Sequence, residues 1–409
     1  MESVFPTSRE EALRRSELFC AQSVVHYASD RNYVKKKHSN VSRLSACIGC
    51  RLISESEVIQ HALQNHPFTR VEKFVQEVHW RTYWKGWLEH HPQVWQSYKF
   101  SKQKVKTTLD NDSFKKWQAI LHGESGNSLV DAWIQELVTT GYLHNHVRMW
   151  FASYWIHGCR LPWQLGAEFF EDYLIDADAA CNTLSWRWVA GLQTKGKTYL
   201  IRSANVEKYD WRALLPEHKR ALEEFRNICS HLQSDVETTA VNPSALPVQE
   251  TTQGPEEVAC IWIHEENTGF VSDLFRRCNP QLVILSLWSE QENNHVRQKW
   301  RNAVLQDTLK RAQQMWKCEI LLWKRHKEEQ RIIQELVKRG ITRVDCVRAA
   351  IGYLRDYLLE FSARLNEFCI QLVEHLDSWD AQFWPLTTTG FFPYWANVKK
   401  RYLMNVECG

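Results

Sequence analysis

The chain carries little net charge, no long apolar run and no nucleotide-binding glycine loop, and each shortage removes a class of protein. Its 409 residues hold 51 Lys+Arg against 48 Asp+Glu, and a balance of +3 does not by itself announce a nucleic-acid binder. No stretch of about 18 consecutive apolar residues occurs, which excludes a membrane-spanning helix. The opening residues lack the apolar run of a secretory leader, and a cytoplasmic, reducing setting is the expectation. Twelve Cys are scattered along the chain, and Cys47 and Cys50 are its one close pair. Without a second pair or a His cluster they cannot complete a tetrahedral site, so no metal is expected. No GxGxxG or GxxxxGK[ST] loop follows any candidate strand, which leaves no motif for a nucleotide-phosphate role there.

Tryptophan is abundant instead, with 20 residues, several times the ordinary share. Large cores anchored by aromatic rings would explain the excess. So would a need for π-systems that stack on a ligand or pass electrons. The length exceeds a single-core limit and implies two domains. Residues 233–256 contain Pro243, Pro247 and Pro255, no aromatic residue and little apolar periodicity, the composition of a linker. Residues 1–232 carry 30 Lys+Arg against 25 Asp+Glu, and the remainder 21 against 23, so the basic bias sits in the first part.

That first part reads as helical throughout. Thr7-Ser8-Arg9-Glu10 and Ser54-Glu55-Ser56-Glu57 both have capping-box form, each before apolar residues spaced three and four apart. After the linker the period changes. Short β-rich runs at 258–263, 282–287 and 318–323, with a weaker one near Thr342 to Val344, alternate with helical patterns at 297–315, 325–338 and from near Val347. Such alternation predicts an α/β fold with a parallel sheet covered by helices on both faces. The expected fold class is thus a helical domain at 1–232, a linker at 233–256 and an α/β domain at 257–409.

The chemistry concentrates between Tyr142 and Trp188. Asp176 and Asp178, within LIDADAAC, would be costly in a core without donors. They are either solvated loop carboxylates or part of a site, and Asn145, Arg148, Asn182, Trp163, Trp186 and Trp188 nearby supply donors, acceptors and stacking faces. HNxxRM from His144 to Met149, IDxDxAxN from Ile175 to Asn182 and the closing Trp186–Trp188 pair resemble the FAD-binding core of the photolyase and cryptochrome family. The likeness continues upstream through Gly123 to Gly126, FVQEVHWR at 74–81 and SRLS at 42–45, covering most of residues 20–210.

The resemblance implies FAD as cofactor. It places Tyr27, Ser42, Leu44 and Ser45 at the pyrophosphate, Arg148 and Asp176 beside the isoalloxazine, Asp178 at the flavin ring or ribose, Asn182 facing flavin N5, and Arg81 along the cofactor. It assigns Glu77, Trp80, Asn145, Met149 and Trp188 to contact with a pyrimidine dimer, with the acid form of Glu77 favoured by burial beside Trp. Trp186 and Trp163 match the first two members of an electron-transfer chain. The usual third Trp falls near Lys106 to Thr108, where there is none; Trp150, Trp155 and nearby tyrosines are open substitutes. His146 stands where repair enzymes usually place Arg, and Val41 replaces a common Thr.

The expected activity is blue-light-driven repair of cyclobutane pyrimidine dimers by a lyase using reduced FAD, with damaged DNA as partner and a monomeric state. The alternative is a cryptochrome-like photoreceptor that signals through a protein partner. The family's α/β antenna domain normally comes first, so 257–409 resembles that domain permuted to the end. Whether it takes a folate or deazaflavin chromophore the residues leave open.

Overall fold

The computed structural model describes residues 5–194, 197–231, 258–286, 294–323 and 328–407. The expected linker at 233–256 lies outside the described residues. The chain up to 231 is helical, as its periodicity requires, with Arg9–Gln22, Glu55–Asn65, Phe68–His90, Pro92–Thr108, Ser128–Thr140, Asn145–Ser153, Trp163–Tyr173 and Ala179–Val189 as principal helices. The box at Ser54 and Glu57 is formed, each satisfying the other's backbone N–H. At the first helix the cap lies one residue later than the sequence pattern indicated. Ser8 accepts from the Glu11 N–H at 3.2 Å and the Glu11 carboxylate accepts from the Thr7 N–H at 3.0 Å. Among the described residues no helix is long and apolar enough to cross a membrane.

The second part is a five-stranded parallel sheet in the order β3-β2-β1-β4-β5. Its strands are β1 (Cys260–Ile263), β2 (Leu282–Ser286), β3 (Glu319–Trp323), β4 (Arg343–Val347) and β5 (Gln371–His375). β1 and β2 are buried along their whole length whereas β5, at an edge, is only partly covered, as expected for a parallel sheet wrapped on both faces. Two expectations need correction here. Val347 ends β4 rather than opening a helix, and the next helix begins at Tyr353. β5 was not anticipated, because Gln371, Glu374 and His375 break the apolar run that marks the inner strands.

Alternation along β1 and β2 divides the core in two. Cys260, Trp262, Leu282 and Ile284 face helices Glu329–Lys338 and Tyr353–Asn366. Ile261, Ile263, Val283 and Leu285 face the opposite way, into one continuous cluster with Phe5, Leu52, Val58, Phe74 and Tyr83 of the helical part. The α/β layer is therefore packed on the helices by its own sheet face. Trp95, Trp133, Trp150, Trp155, Trp262, Trp323 and Trp384 are fully buried, so much of the tryptophan excess is core.

Polar contacts fix the seam. Arg51 reaches Asp380 at 2.5 Å and Asp377 at 3.6 Å, all three buried. Thr268 donates its N–H to the Cys50 carbonyl at 3.0 Å. Gly269 lies so close that a Cβ there would sit 2.3 Å from the Arg51 carbonyl oxygen, leaving no room for a side chain. Cys47 and Cys50 are buried free thiols at this seam, with Cys50 Sγ accepting from Thr268 at 3.6 Å. Asn294 donates to the carbonyls of Asp172 at 2.7 Å and Tyr173 at 3.1 Å, capping the end of the Trp163–Tyr173 helix.

His79 of the Phe68–His90 helix is fully buried between two phenols of the C-terminal helix Phe391–Glu407, Tyr394 at 2.9 Å and Tyr402 at 2.8 Å. Burial pulls its pKa from 6.5 down to about 3, so the folded protein holds it neutral where the unfolded chain protonates it. That contribution is complete above about pH 6.5 and is lost as pH falls toward 3, on the order of a few kcal/mol. Urea midpoints between pH 7 and pH 4.5 should fall in the wild type and fall less steeply in His79→Asn.

Candidate cofactor site

The Ala179–Val189 helix begins where two acidic residues interrupt an apolar run. Asp178 is its N-cap, accepting the Cys181 N–H at 2.7 Å. The same carboxylate pairs with Arg81 of the Phe68–His90 helix, whose guanidinium also donates to the Ser45 carbonyl at 3.2 Å. One side chain thus ties three segments together. Burial opposes both charges, yet Asp178 holds Arg81 above its ordinary range, and Arg81 with Lys85 holds Asp178 below the usual carboxylate range. Asp176, two residues earlier, binds Arg148 through both oxygens at 3.0 Å, and Arg148 donates Nε–H to the Leu143 carbonyl at 2.9 Å. Neither carboxylate is a solvated loop group.

Asn182 lies one turn into the Ala179–Val189 helix, buried, its amide donating to the Ala167 carbonyl at 2.8 Å. Trp186 follows on the same helix. Its ring crosses so close to Gly166 that a Cβ there would lie 2.3 Å from it. The indole N–H of Trp186 is buried without a hydrogen-bond partner.

The SRLS turn has its own signature. Arg43 adopts a left-handed φ of 52° and Leu44 follows at φ −106°, ψ 0°. This alternation of sign gathers successive backbone N–H groups into an anion-binding concavity. A non-glycine residue held left-handed costs about 1–3 kcal/mol and marks functional turns. Arg43 Nε is buried without a partner, and the positive charge of Arg43 depresses that of Arg15, second only to burial. An anion would relieve both. Ser42 and Ser45 are half-buried and Leu44 is buried. Tyr27 packs edge-on against Phe74 at 5.2 Å and Phe19 at 6.3 Å, and burial raises its phenol pKa. An unpartnered guanidinium nitrogen, an unpartnered indole N–H and two arginine–carboxylate pairs are donors that fit a dinucleotide carrying a pyrophosphate and a polar ring.

A cleft of about 300 Å³ opens beside these groups. Asp176, Asp178 and Lys102 line one wall, and Glu266, Arg301 and Tyr353 line the other. It lies beyond the carboxyl ends of β1 and β4, where the strand order reverses, the usual ligand position in doubly wound sheets.

The five residues expected to face a substrate are less united. Asn145 and Met149 touch, amide nitrogen to sulfur at 3.8 Å. Glu77, expected in apolar surroundings, is instead held in two ion pairs, with Arg31 at 3.2 Å and Lys73 at 2.9 Å. Trp80 offers no free face on one side, because Phe391 stacks on it at 3.5 Å with 7° between the planes. Trp188 packs with Tyr199 at 5.5 Å and belongs to a different cluster from Trp80. His146 is buried, tied to the Asn32 carbonyl at 2.9 Å and stacked on Trp150 at 4.4 Å. Sequence reasoning missed Phe391, Arg31 and Gly166. Phe391 is remote in sequence and carries no local signal. Gly166, one turn after Trp163, could have been noticed as a small residue facing an aromatic neighbour.

Residues 74–213 match the family described as the FAD binding domain of DNA photolyase. The chain is 28% identical to the deoxyribodipyrimidine photo-lyase of Neurospora crassa over 206 residues, covering 48% of this chain and 33% of that protein. It is 28% identical to the enzyme of that name from Salmonella typhimurium over 203 residues, covering 48% and 42%. Among solved structures, a bacterial class III photolyase from Agrobacterium tumefaciens is similar, with a TM-score of 0.42 and 26% identity over 53% of this chain and 44% of that one. The chain thus spans less than half the length of the curated relatives it matches.

Gly166→Ala tests the packing that sets Trp186. The added methyl meets the indole at less than van der Waals distance, and overpacking of this kind costs about 1–3 kcal/mol. Denaturant unfolding should show that loss, together with a shift in tryptophan fluorescence.

Proposed function

We propose that this chain, whose residues 74–213 match the FAD binding domain of DNA photolyase, works as a member of the photolyase and cryptochrome family: an FAD-dependent, blue-light-responsive protein acting by electron transfer. The observation that carries the reading is the pair of arginine–carboxylate contacts, Arg148 with Asp176 and Arg81 with Asp178, built from the motifs that mark the cofactor core. Arg43, Ser42, Leu44 and Ser45 would take the pyrophosphate, with Tyr27 beside them. Arg148, Asp176, Asp178 and Asn182 would hold the flavin end, and Arg81 would position Asp178. The cofactor supplies light absorption and one-electron chemistry. The protein excludes water from the site, holds its charges in place and provides Trp186 and Trp163 as donors.

The output of that chemistry has two readings. Phe391, stacked on Trp80, favours a photoreceptor, since the ring that would receive a dimer is covered on one face. The presence of Glu77, Trp80, Asn145, Met149 and Trp188 together favours repair of cyclobutane pyrimidine dimers, with those residues contacting the extruded lesion. The domain arrangement supports either reading: a helical cofactor part at 1–232 and a permuted antenna-like part at 257–409.

Blue light on the FAD-loaded protein should bleach the oxidised flavin band, with the bleach lost in Trp186→Phe. Ultraviolet-damaged oligonucleotide incubated with reduced wild type under the same light should keep its dimers if the photoreceptor reading holds. Light-dependent dimer loss would establish repair instead. An FAD-loaded wild type with no light-driven redox change would overturn both.

A further inference from the structure

Beyond Trp186 and Trp163 the electron route has no tryptophan where the family pattern expects one. Lys106, Thr107 and Thr108 occupy that stretch, and Lys106 is engaged with Glu168 at 2.7 Å. Trp155 meets Trp186 edge-on at 6.2 Å but is itself fully buried among Phe151 and Phe169, so it leads back into the core. Trp150, also fully buried, stacks on Trp133 and His146.

Trp163 leads elsewhere. It lies one helical turn before Gly166, against which Trp186 rests, and residues so spaced stand about 5–6 Å apart on one face of a helix. On its other side Trp163 stacks on Tyr98 of the Pro92–Thr108 helix, centroids 5.3 Å apart and planes at 23°. Tyr98 is 1% exposed. Its hydroxyl interacts with Glu171, also buried, by charge and by side-chain hydrogen bonding. One Glu171 oxygen accepts from Lys102 at 3.3 Å and from the Tyr353 hydroxyl at 3.0 Å, which leaves the other for the Tyr98 phenol. Lys102, Glu171 and Tyr353 line the cleft between the two parts of the chain, and that cleft offers a proton a way out.

We propose that Tyr98 is the electron donor that follows Trp163, and that Glu171 accepts its phenolic proton. The inference rests on the reading that this chain photoreduces FAD through Trp186 and Trp163. Bound FAD would supply a light-driven one-electron acceptor; Trp186 would give up an electron to it and be refilled by Trp163, itself refilled by Tyr98. At Tyr98 the O–H bond breaks. Its electron goes to Trp163 and its proton to the Glu171 oxygen not held by Lys102 and Tyr353, leaving a neutral tyrosyl radical and a neutral carboxyl group. Loss of the electron alone would leave a buried cation beside the Lys102 ammonium, 5.3 Å from the Tyr98 ring. Burial lifts both the Tyr98 phenol and the Glu171 carboxyl above their ordinary pKa values. Burial favours the protonated phenol before oxidation, and at Glu171 it is opposed by Lys102, Tyr98 and Tyr353, which stabilise the carboxylate that accepts.

The test uses the full FAD-loaded chain, with ring-deuterated tyrosine to identify radicals by electron paramagnetic resonance after a blue flash. Wild type should show a tryptophan radical replaced by a tyrosyl radical. Tyr98→Phe should lose the tyrosyl signal while still forming the tryptophan radical. Glu171→Gln should show a weaker tyrosyl signal whose formation no longer carries the wild-type solvent deuterium effect. Melting temperature and FAD content are measured alongside, and Tyr98→Phe, which keeps the ring stacked on Trp163 and removes only the hydroxyl, should bind FAD as the wild type does. A tyrosyl radical surviving in Tyr98→Phe, or tryptophan radicals alone in wild type, would overturn the assignment of Tyr98 and leave the tryptophan route standing. Photoreduction undiminished in Trp186→Phe would remove the route, and Tyr98 with it.

Discussion

The contact between Arg81 and Asp178 is the constraint on which the site depends. A carboxylate taken from water needs several donors to remain ionised, and Asp178 finds them in the Cys181 N–H and the Arg81 guanidinium. Meeting that need sets the start of the Ala179–Val189 helix, the facing of the Phe68–His90 helix and, through the Ser45 carbonyl, the position of the SRLS turn. Removing one partner of such a pair leaves an uncompensated charge and costs about 3–5 kcal/mol. Asn182 and Trp186 then follow at helical spacing from a fixed cap, which is how two acidic residues in an apolar run come to organise a site.

The α/β layer adds closure more than chemistry of its own. Its sheet face shares a core with the first helices, and Arg51, Gly269, Asn294 and the Phe391–Glu407 helix lock it in place. One consequence is the cleft at the strand-order switch, walled by both parts. Another is the cover that Phe391 lays over one face of Trp80. The same docking thus builds a ligand-sized space on one side and covers an aromatic face on another.

Much of this architecture was legible in the residues. The helical periodicity, the capping box at Ser54 and the three apolar strands announced themselves because local pattern and burial agree there. The motifs likewise placed Arg148 near Asp176, since both lie in short conspicuous elements. Three kinds of feature stayed hidden. β5 is a partly covered edge strand whose polar residues mimic a loop. The stack of Phe391 on Trp80 and the ion pairs of Glu77 depend on long-range docking, and no local pattern encodes that. The pairing of Tyr98 with Trp163 joins two helices whose facing is set only in the assembled core.

The most direct test of the site is the flavin content of the purified protein before and after Asp178 is neutralised. Wild type should carry FAD in stoichiometric amount, seen in the visible spectrum and released on denaturation, whereas Asp178→Asn should bind it weakly and melt at lower temperature. A folded wild type that neither retains FAD nor takes it up when it is added would contradict the account.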